Sequence, residues 1–306
     1  MMNMLKTFKD SFFLYSFFRD PVAIISFAVL FSLMVASFGA PLIAPFDPYD
    51  LTTIDIMDSE IAPLWDDEGD KRFVLGTDPQ GRDMLSTMLY GMRVSIMIGL
   101  GAVALQSFIG ILVGLIAGYR GGKTEAFLMR LADVQLSFST YMVAIFIGAL
   151  FQGFFGMGVY ENYAVPILIL IIGFAEWPQY ARTVRASVMA EKKKEYVEAA
   201  RIIGLPPFRI MVRHILPNTM TPVLVISTVQ VANAIMSEAA LSFIGLGMPV
   251  SQPSLGSLIK SGFDYIFSGS WWITLFPGIA LVVLILSINL LGDWVRDFLN
   301  PKLYKE

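Results

Sequence analysis

The sequence predicts an all-α membrane protein with six transmembrane helices and both termini in the cytoplasm. Three observations carry that prediction. Hydrophobic residues make up 56% of the 306 and charged ones only 15%, against about 25% charged in a soluble domain; mean hydropathy is +0.65. The apolar residues come in runs long enough for the roughly 20 helical residues that cross a hydrocarbon core. Finally, Lys and Arg concentrate on alternate segments between the runs, the bias that fixes membrane orientation. With no cysteine and one histidine, His214, disulfides, thiolate metal sites, cysteine nucleophiles and histidine cages are excluded as organising chemistry.

The elements follow in order. Residues 1–20 form a cytoplasmic lead-in carrying Lys6, Lys9 and Arg19. Residues 21–46 read as the first span. The run is longer than a signal-peptide core and lacks a clean small-residue cleavage site, so it is expected to be a retained anchor. Residues 47–93 form the first outside loop, with eleven Asp and Glu against four Lys and Arg, either a small cap or a solvated excursion. The remaining five spans lie within 94–292, in charge-free stretches 94–119, 134–160, 214–237 and 265–292 and in 162–181, which only Glu176 interrupts. An acid at that depth belongs near a membrane face or inside the bundle. A cytoplasmic tail, 293–306, closes the chain. The four segments expected in the cytoplasm hold 17 of the 22 basic residues.

Within span two, Gly110, Gly114 and Gly118 recur every four residues and form a smooth helical stripe for close backbone approach, by a helix of the same chain or by another subunit. Pro166, Pro178, Pro222 and Pro277 mark bends.

The cytoplasmic interval 182–218 is too long for a turn. Val188, Val197, Ala200 and Ile203 are apolar members of a charged helical stretch that Gly204 stops. Pro206-Pro207 then opens a second short helix, ended by Pro217. Such an apolar, small-residue knuckle suits docking into a groove on a soluble partner.

Glu198-Ala199-Ala200, three residues, Gly204, and then Leu216-Pro217 resemble the EAA loop of bacterial ABC-importer membrane subunits; His214-Ile215 stands where the usual pattern has its isoleucine. Further segments are similar to the C-type subunit of dipeptide and oligopeptide permeases. They are Leu75-Gly76-Thr77-Asp78, Gly81-Arg82-Asp83, Leu89-Tyr90-Gly91, Gly118-Tyr119, Gly121-Gly122, Tyr180-Ala181-Arg182, Arg185-Ala186, the run from Glu238 to Gly247, Trp271-Trp272, Gly292-Asp293, Arg296-Asp297 and Asn300-Pro301-Lys302-Leu303.

This resemblance implies a type I ABC-importer permease fold and a pore-forming, non-enzymatic subunit with no catalytic residue, no metal and no cofactor of its own. ATP and Mg would sit on two partner ATPase subunits. The other implied partners are a second, usually non-identical permease subunit, an extracytoplasmic binding protein, a peptide substrate and the lipid bilayer, with no nucleic acid. In the coupling loop the resemblance gives Glu198 a charged contact to the ATPase, Ala199 and Ala200 close approach, and Gly204 the bend, with Arg201, Leu216 and Pro217 completing the motif. A nickel chelate or glutathione remains an alternative solute.

The stretch Gly118-Tyr-Arg-Gly-Gly-Lys123-Thr124 is a decoy. A phosphate-binding loop needs its first glycine at 117, which is Ala117, and a preceding strand. Gln106, Gln230, Asn233, Ser237 and Glu238 are the candidates for the translocation path, because intramembrane polar groups face a bundle interior or a pathway. An interhelical hydrogen-bond cluster is the competing reading. Glu238 in particular could stabilise a gate or attract the amino end of a peptide. Lys260 and Asp264 read as ordinary loop charges, or as contacts to the binding protein. An ion-coupled secondary transporter is the different-class alternative; it would call for paired midplane ions or inverted repeats.

Overall fold

In hydrocarbon every backbone N–H and C=O must be satisfied within the chain, so apolar runs of this length become helices. The computed structural model describes residues 12–50, 52 and 54–299, and among them there are helices, turns and two isolated bridges, with no strand. Lys6, Lys9, Lys305 and the segment 300–303 lie outside the described residues.

The elements are α1 (Phe12–Arg19), α2 (Pro21–Phe38), α3 (Met84–Arg120), α4 (Gly122–Leu136), α5 (Thr140–Phe155), α6 (Ala164–Glu191), α7 (Glu195–Ile202), α8 (Leu216–Ile244), α9 (Leu255–Phe263) and α10 (Trp272–Phe298). Five helices among the described residues are long and apolar enough to cross a membrane. The pair α4–α5, bent by 91°, makes a sixth if counted as one broken span.

Span boundaries differ from those read by charge. The first helix stops at Phe38; Pro41 has no N–H to extend the ladder, and the chain continues as a short turn, Ala40–Ile43. The second starts at Met84, inside the expected 47–93 loop. The Asp83 carboxylate accepts from both the Ser86 N–H (2.8 Å) and the Ser86 hydroxyl (2.6 Å), which satisfies a free donor of the first turn. Arg93 therefore lies within a helix, its guanidinium 5.8 Å from the Phe38 ring. The third span is cut at both ends: α5 begins only after the bend at 137–139 and ends at Gly156. The fourth and fifth run on to Glu191 and Ile244, and the sixth begins at Trp272, not 265.

The chain divides into two compact units. Among the described residues, the first comprises those up to 97 and from 235 onward. Here the acidic segment is a structured cap. Ala62, Met84, Leu258, Trp272 and Ile273 share one apolar cluster, joined by Leu75, Met88 and Phe276. Asp78 and Arg82 form a buried ion pair at 2.6 Å. Arg82 also donates to the Val250 carbonyl (3.0 Å) and to Gln80 (3.0 Å), so the charge is both paired and hydrogen-bonded, the condition under which burial is tolerated. The Trp272 indole N–H donates to the Thr77 carbonyl at 3.1 Å. Trp272→Phe keeps a ring in the cluster but orphans that acceptor. The expected loss is about 1–3 kcal/mol, measured as a lower Tm of the purified protein in detergent; an unchanged Tm would contradict this account of the cap.

The second unit spans residues 98–234. Its centre is the α3–α6 contact. A Cβ on Gly110 would lie 2.2 Å from the Tyr180 Cβ, one on Gly114 2.6 Å from the Ala181 carbonyl oxygen, and one on Gly118 2.8 Å from the Val188 Cβ. The glycine stripe is therefore occupied by a helix of the same chain. Residues 117–120 continue α3, so their backbone belongs to a helix and forms no phosphate cradle.

Candidate functional site

The segment after α6 carries the predicted motif. Tyr196 donates to the Glu191 carboxylate at 2.6 Å, and Asn218 donates to both the Tyr196 hydroxyl (3.1 Å) and the His214 carbonyl (2.8 Å). These bonds tie the end of α6, the start of α7 and the start of α8 together. Lys192 Nζ donates to the Tyr119 carbonyl, and the Lys192 and Arg201 cations each sit 5.6 Å from the Tyr119 ring centroid. The aromatic ring at the end of α3 thus lies against one cation that precedes the motif and one within it, a favourable arrangement for a ring quadrupole.

Within α7, Val197 and Ala200 are buried while Glu198, Ala199 and Arg201 are exposed. The helix ends in a Schellman arrangement: Leu205 N–H bonds to Ala200 O (3.1 Å), Gly204 N–H bonds to Arg201 O (2.9 Å), and Gly204 takes φ +84°, a conformation open to glycine without Cβ cost. Around this bend Ile202, Ile203 and Phe208 are 86%, 77% and 72% exposed. The geometry is an apolar knuckle rimmed by Glu198 and Arg201.

Two expectations for this loop are corrected. Val188 belongs to α6, and the helix breaks at 192–194 before α7 begins. Pro217 does not end the second short helix: after Pro207–Arg209 the chain makes a π-helical turn, Ile210–Ile215, and passes directly into α8, with Leu216 half-buried and Pro217 exposed. Proline lacks the N–H that the regular ladder would use, and the wider π turn at that point accommodates the missing donor.

The intramembrane polar residues fall into two clusters. In the second unit, the Glu176 carboxyl accepts from Gln106 Nε2 (3.2 Å) and Gln230 Nε2 (3.4 Å), and Asn233 donates to Gln230 Oε1 (2.8 Å). Gln106 Oε1 is buried without a partner. In the first unit Ser237 is buried, and Glu238 accepts from the Ser95 and Ser242 hydroxyls. The sequence thus gathers Gln106, Gln230 and Asn233 in one place and Glu238 in another. Glu176 is resolved as a bundle-interior acid. Lys260 and Asp264 pair with each other at 3.1 Å. Tyr119 and Ser242 lie inside family-like segments without marking themselves as site residues, and Tyr196, Asn218 and Ser95 have no sequence signal beyond lying near such segments.

The family of binding-protein-dependent transport system inner membrane components matches residues 110–305. The chain belongs to that family. The N-terminal transmembrane domain of oligopeptide transport permease C matches residues 11–63 of this transport component. Among its relatives, the di/tripeptide transport system permease protein DppC of Pseudomonas aeruginosa is 36% identical over 90% of this chain and 87% of its own. The oligopeptide transport system permease protein OppC of Bacillus subtilis is 32% identical over 98% and 92%. An inward-facing structure of the MetNI methionine ABC transporter aligns with 69% of this chain and 97% of its own at 19% identity and a TM-score of 0.50. The fold is that of a type I importer permease, and this inner membrane transport component is a multi-pass membrane protein.

Proposed function

We propose that the protein is the pore-forming permease subunit of an ATP-driven importer of di- or oligopeptides. It works by alternating access with a second permease subunit, two ATPase subunits that bind ATP and Mg, and an extracytoplasmic binding protein. The observation that carries the mechanism is the knuckle: exposed Ile202, Ile203 and Phe208 beside Glu198. Apolar surface of this kind is stable in water when a partner covers it, and the similarity to peptide permeases supplies the kind of partner.

In this reading Tyr119, held between Lys192 and Arg201, passes movement of α7 to α3. The basic distribution puts the knuckle and both termini on the cytoplasmic side and the acidic cap outside. Of the five polar candidates for the path, Gln106, Gln230, Ser237 and Glu238 are buried within their own units, while Asn233 is only half-buried; we assign path lining to Asn233 and packing to the others.

The chain has no cysteine, so single-cysteine labelling tests this directly. A membrane-impermeant maleimide should label Asp66→Cys in intact cells and Lys193→Cys only after permeabilisation. Peptide uptake by the assembled complex should require ATP hydrolysis and should fall by roughly ten-fold or more in Ile203→Asp, the effect of placing an unpaired charge in an apolar contact. Reversed labelling would sink the orientation; uptake without ATP would sink the importer reading.

A further inference from the structure

The family-like run from Glu238 to Gly247 has no part in the coupling scheme. In the structure it builds a buried device. Glu238 is fully buried at the end of α8. Ser95 Oγ, on α3, donates to its Oε2 at 2.8 Å, and Ser242 Oγ donates to its Oε1 at 2.6 Å. Each hydroxyl in turn accepts a backbone N–H: Leu255 N–H, at the first residue of α9, to Ser95 Oγ (3.3 Å) and Met248 N–H, in the connection before it, to Ser242 Oγ (3.0 Å). Two N–H→O–H→carboxylate relays therefore converge on one side chain, which the Ser254 hydroxyl also hydrogen-bonds. A hydroxyl that accepts from an amide has its own proton free to donate, and a carboxylate offers acceptors on both oxygens.

The backbone has been cleared for this docking. Ile244 is followed by Gly245 at φ +88°, with Leu246 N–H bonded to Leu241 O (2.9 Å) and Gly245 N–H to Ser242 O (3.0 Å). A Cβ on Gly247 would fall 2.1 Å from Ser242 Oγ, and one on Gly256 2.4 Å from the Ala239 Cα. Ser254, whose hydroxyl lies 3.4 Å from that of Ser242, caps α9 through the Ser257 N–H at 3.2 Å. Leu255 and Leu258 are buried behind it.

We propose that Glu238 is the positioning residue of this end of the first unit: through Ser95 and Ser242 it latches the 245–255 connection, and with it α9, onto α3 and α8. The role in transport rests on the importer reading above; the latch itself does not. Where that reading puts the cap outside, the latch fixes the outer connection between α8 and α10 during the transport cycle.

Hydrogen exchange resolved to single amides, on the full chain in the assembled complex, tests it. Ser95→Ala should accelerate exchange at Leu255 and leave Met248 protected, and Ser242→Ala should do the reverse. Glu238→Gln, which presents one acceptor and one donor to the Ser95, Ser242 and Ser254 hydroxyls, should accelerate both by roughly ten-fold, with α6 unchanged. Uptake should fall in Glu238→Gln with the membrane level of the chain unaltered. Should Glu238→Gln fail to fold, the opposite patterns of the two serine variants carry the test. Equal acceleration everywhere, or protection unchanged at both amides, overturns the latch and leaves the importer reading standing. Faster exchange with full uptake overturns the positioning role.

Discussion

Valine at Gly110 is expected to leave no folded protein in the membrane. Its Cβ would stand 2.2 Å from the Tyr180 Cβ and 2.9 Å from both the Ala181 nitrogen and the Trp177 oxygen. Two of those three atoms are backbone of α6, so no rotamer change removes the clash and the helices must separate. Separation also pulls at Tyr180, whose hydroxyl donates to Ser227 at 3.0 Å, and at the Gln106–Glu176–Gln230 cluster one turn away. Overpacking alone costs about 1–3 kcal/mol. Added loss of buried polar contacts brings the sum close to the roughly 5–15 kcal/mol that holds a typical domain together. Gly153→Val is the matched control: nothing lies within 4 Å of a Cβ there. Protease resistance and Tm of the purified chain measure both. A Gly110→Val protein with the parent's Tm would show that the stripe is not a packing surface.

The apolar runs were legible because lipid leaves the backbone few choices, and their number and approximate centres follow from length alone. Their ends were not legible, since charge is a poor marker of where a helix stops. Arg93 sits inside α3 because the ring of Phe38 takes its guanidinium, and Asp83, read as a loop acid, is the residue that starts the helix. The 91° break before α5 falls at Ser137-Phe138-Ser139, with neither proline nor glycine to announce it. The knuckle was legible from the Gly204 stop and the Pro206-Pro207 restart, because a glycine bend has a local cause. Its anchoring was not: Tyr119 and Arg201 are 82 positions apart in the numbering, Ser95 and Glu238 143, and no local pattern encodes such pairs. Pro217 shows the opposite failure. Proline ends a regular helix, but here the π turn Ile210–Ile215 precedes it and the chain stays helical.

Gly204→Val should yield a folded, membrane-inserted chain that no longer supports peptide uptake. At φ +84° nothing lies within 4 Å of a Cβ, so the substitution meets no steric obstacle beyond its own backbone. The left-handed conformation costs an L-residue about 1–2 kcal/mol, more when it is β-branched. That is too little to unfold the protein, and the site is exposed. It is enough to favour leaving the left-handed region, which breaks the Leu205–Ala200 and Gly204–Arg201 bonds and turns the chain away before Pro206. Ile202, Ile203 and Phe208 then no longer form one surface. Loss of a shaped apolar contact removes several kcal/mol of docking energy, so uptake by the assembled complex should fall by roughly a hundred-fold, while Tm changes by only about 2–4 °C. Asparagine tolerates the left-handed region better than other non-glycine residues, and Gly204→Asn should retain most of the transport. The pair separates a backbone requirement from a side-chain one: equal uptake by the valine and asparagine variants would mean that the bend does not shape the surface on which the ATPase acts.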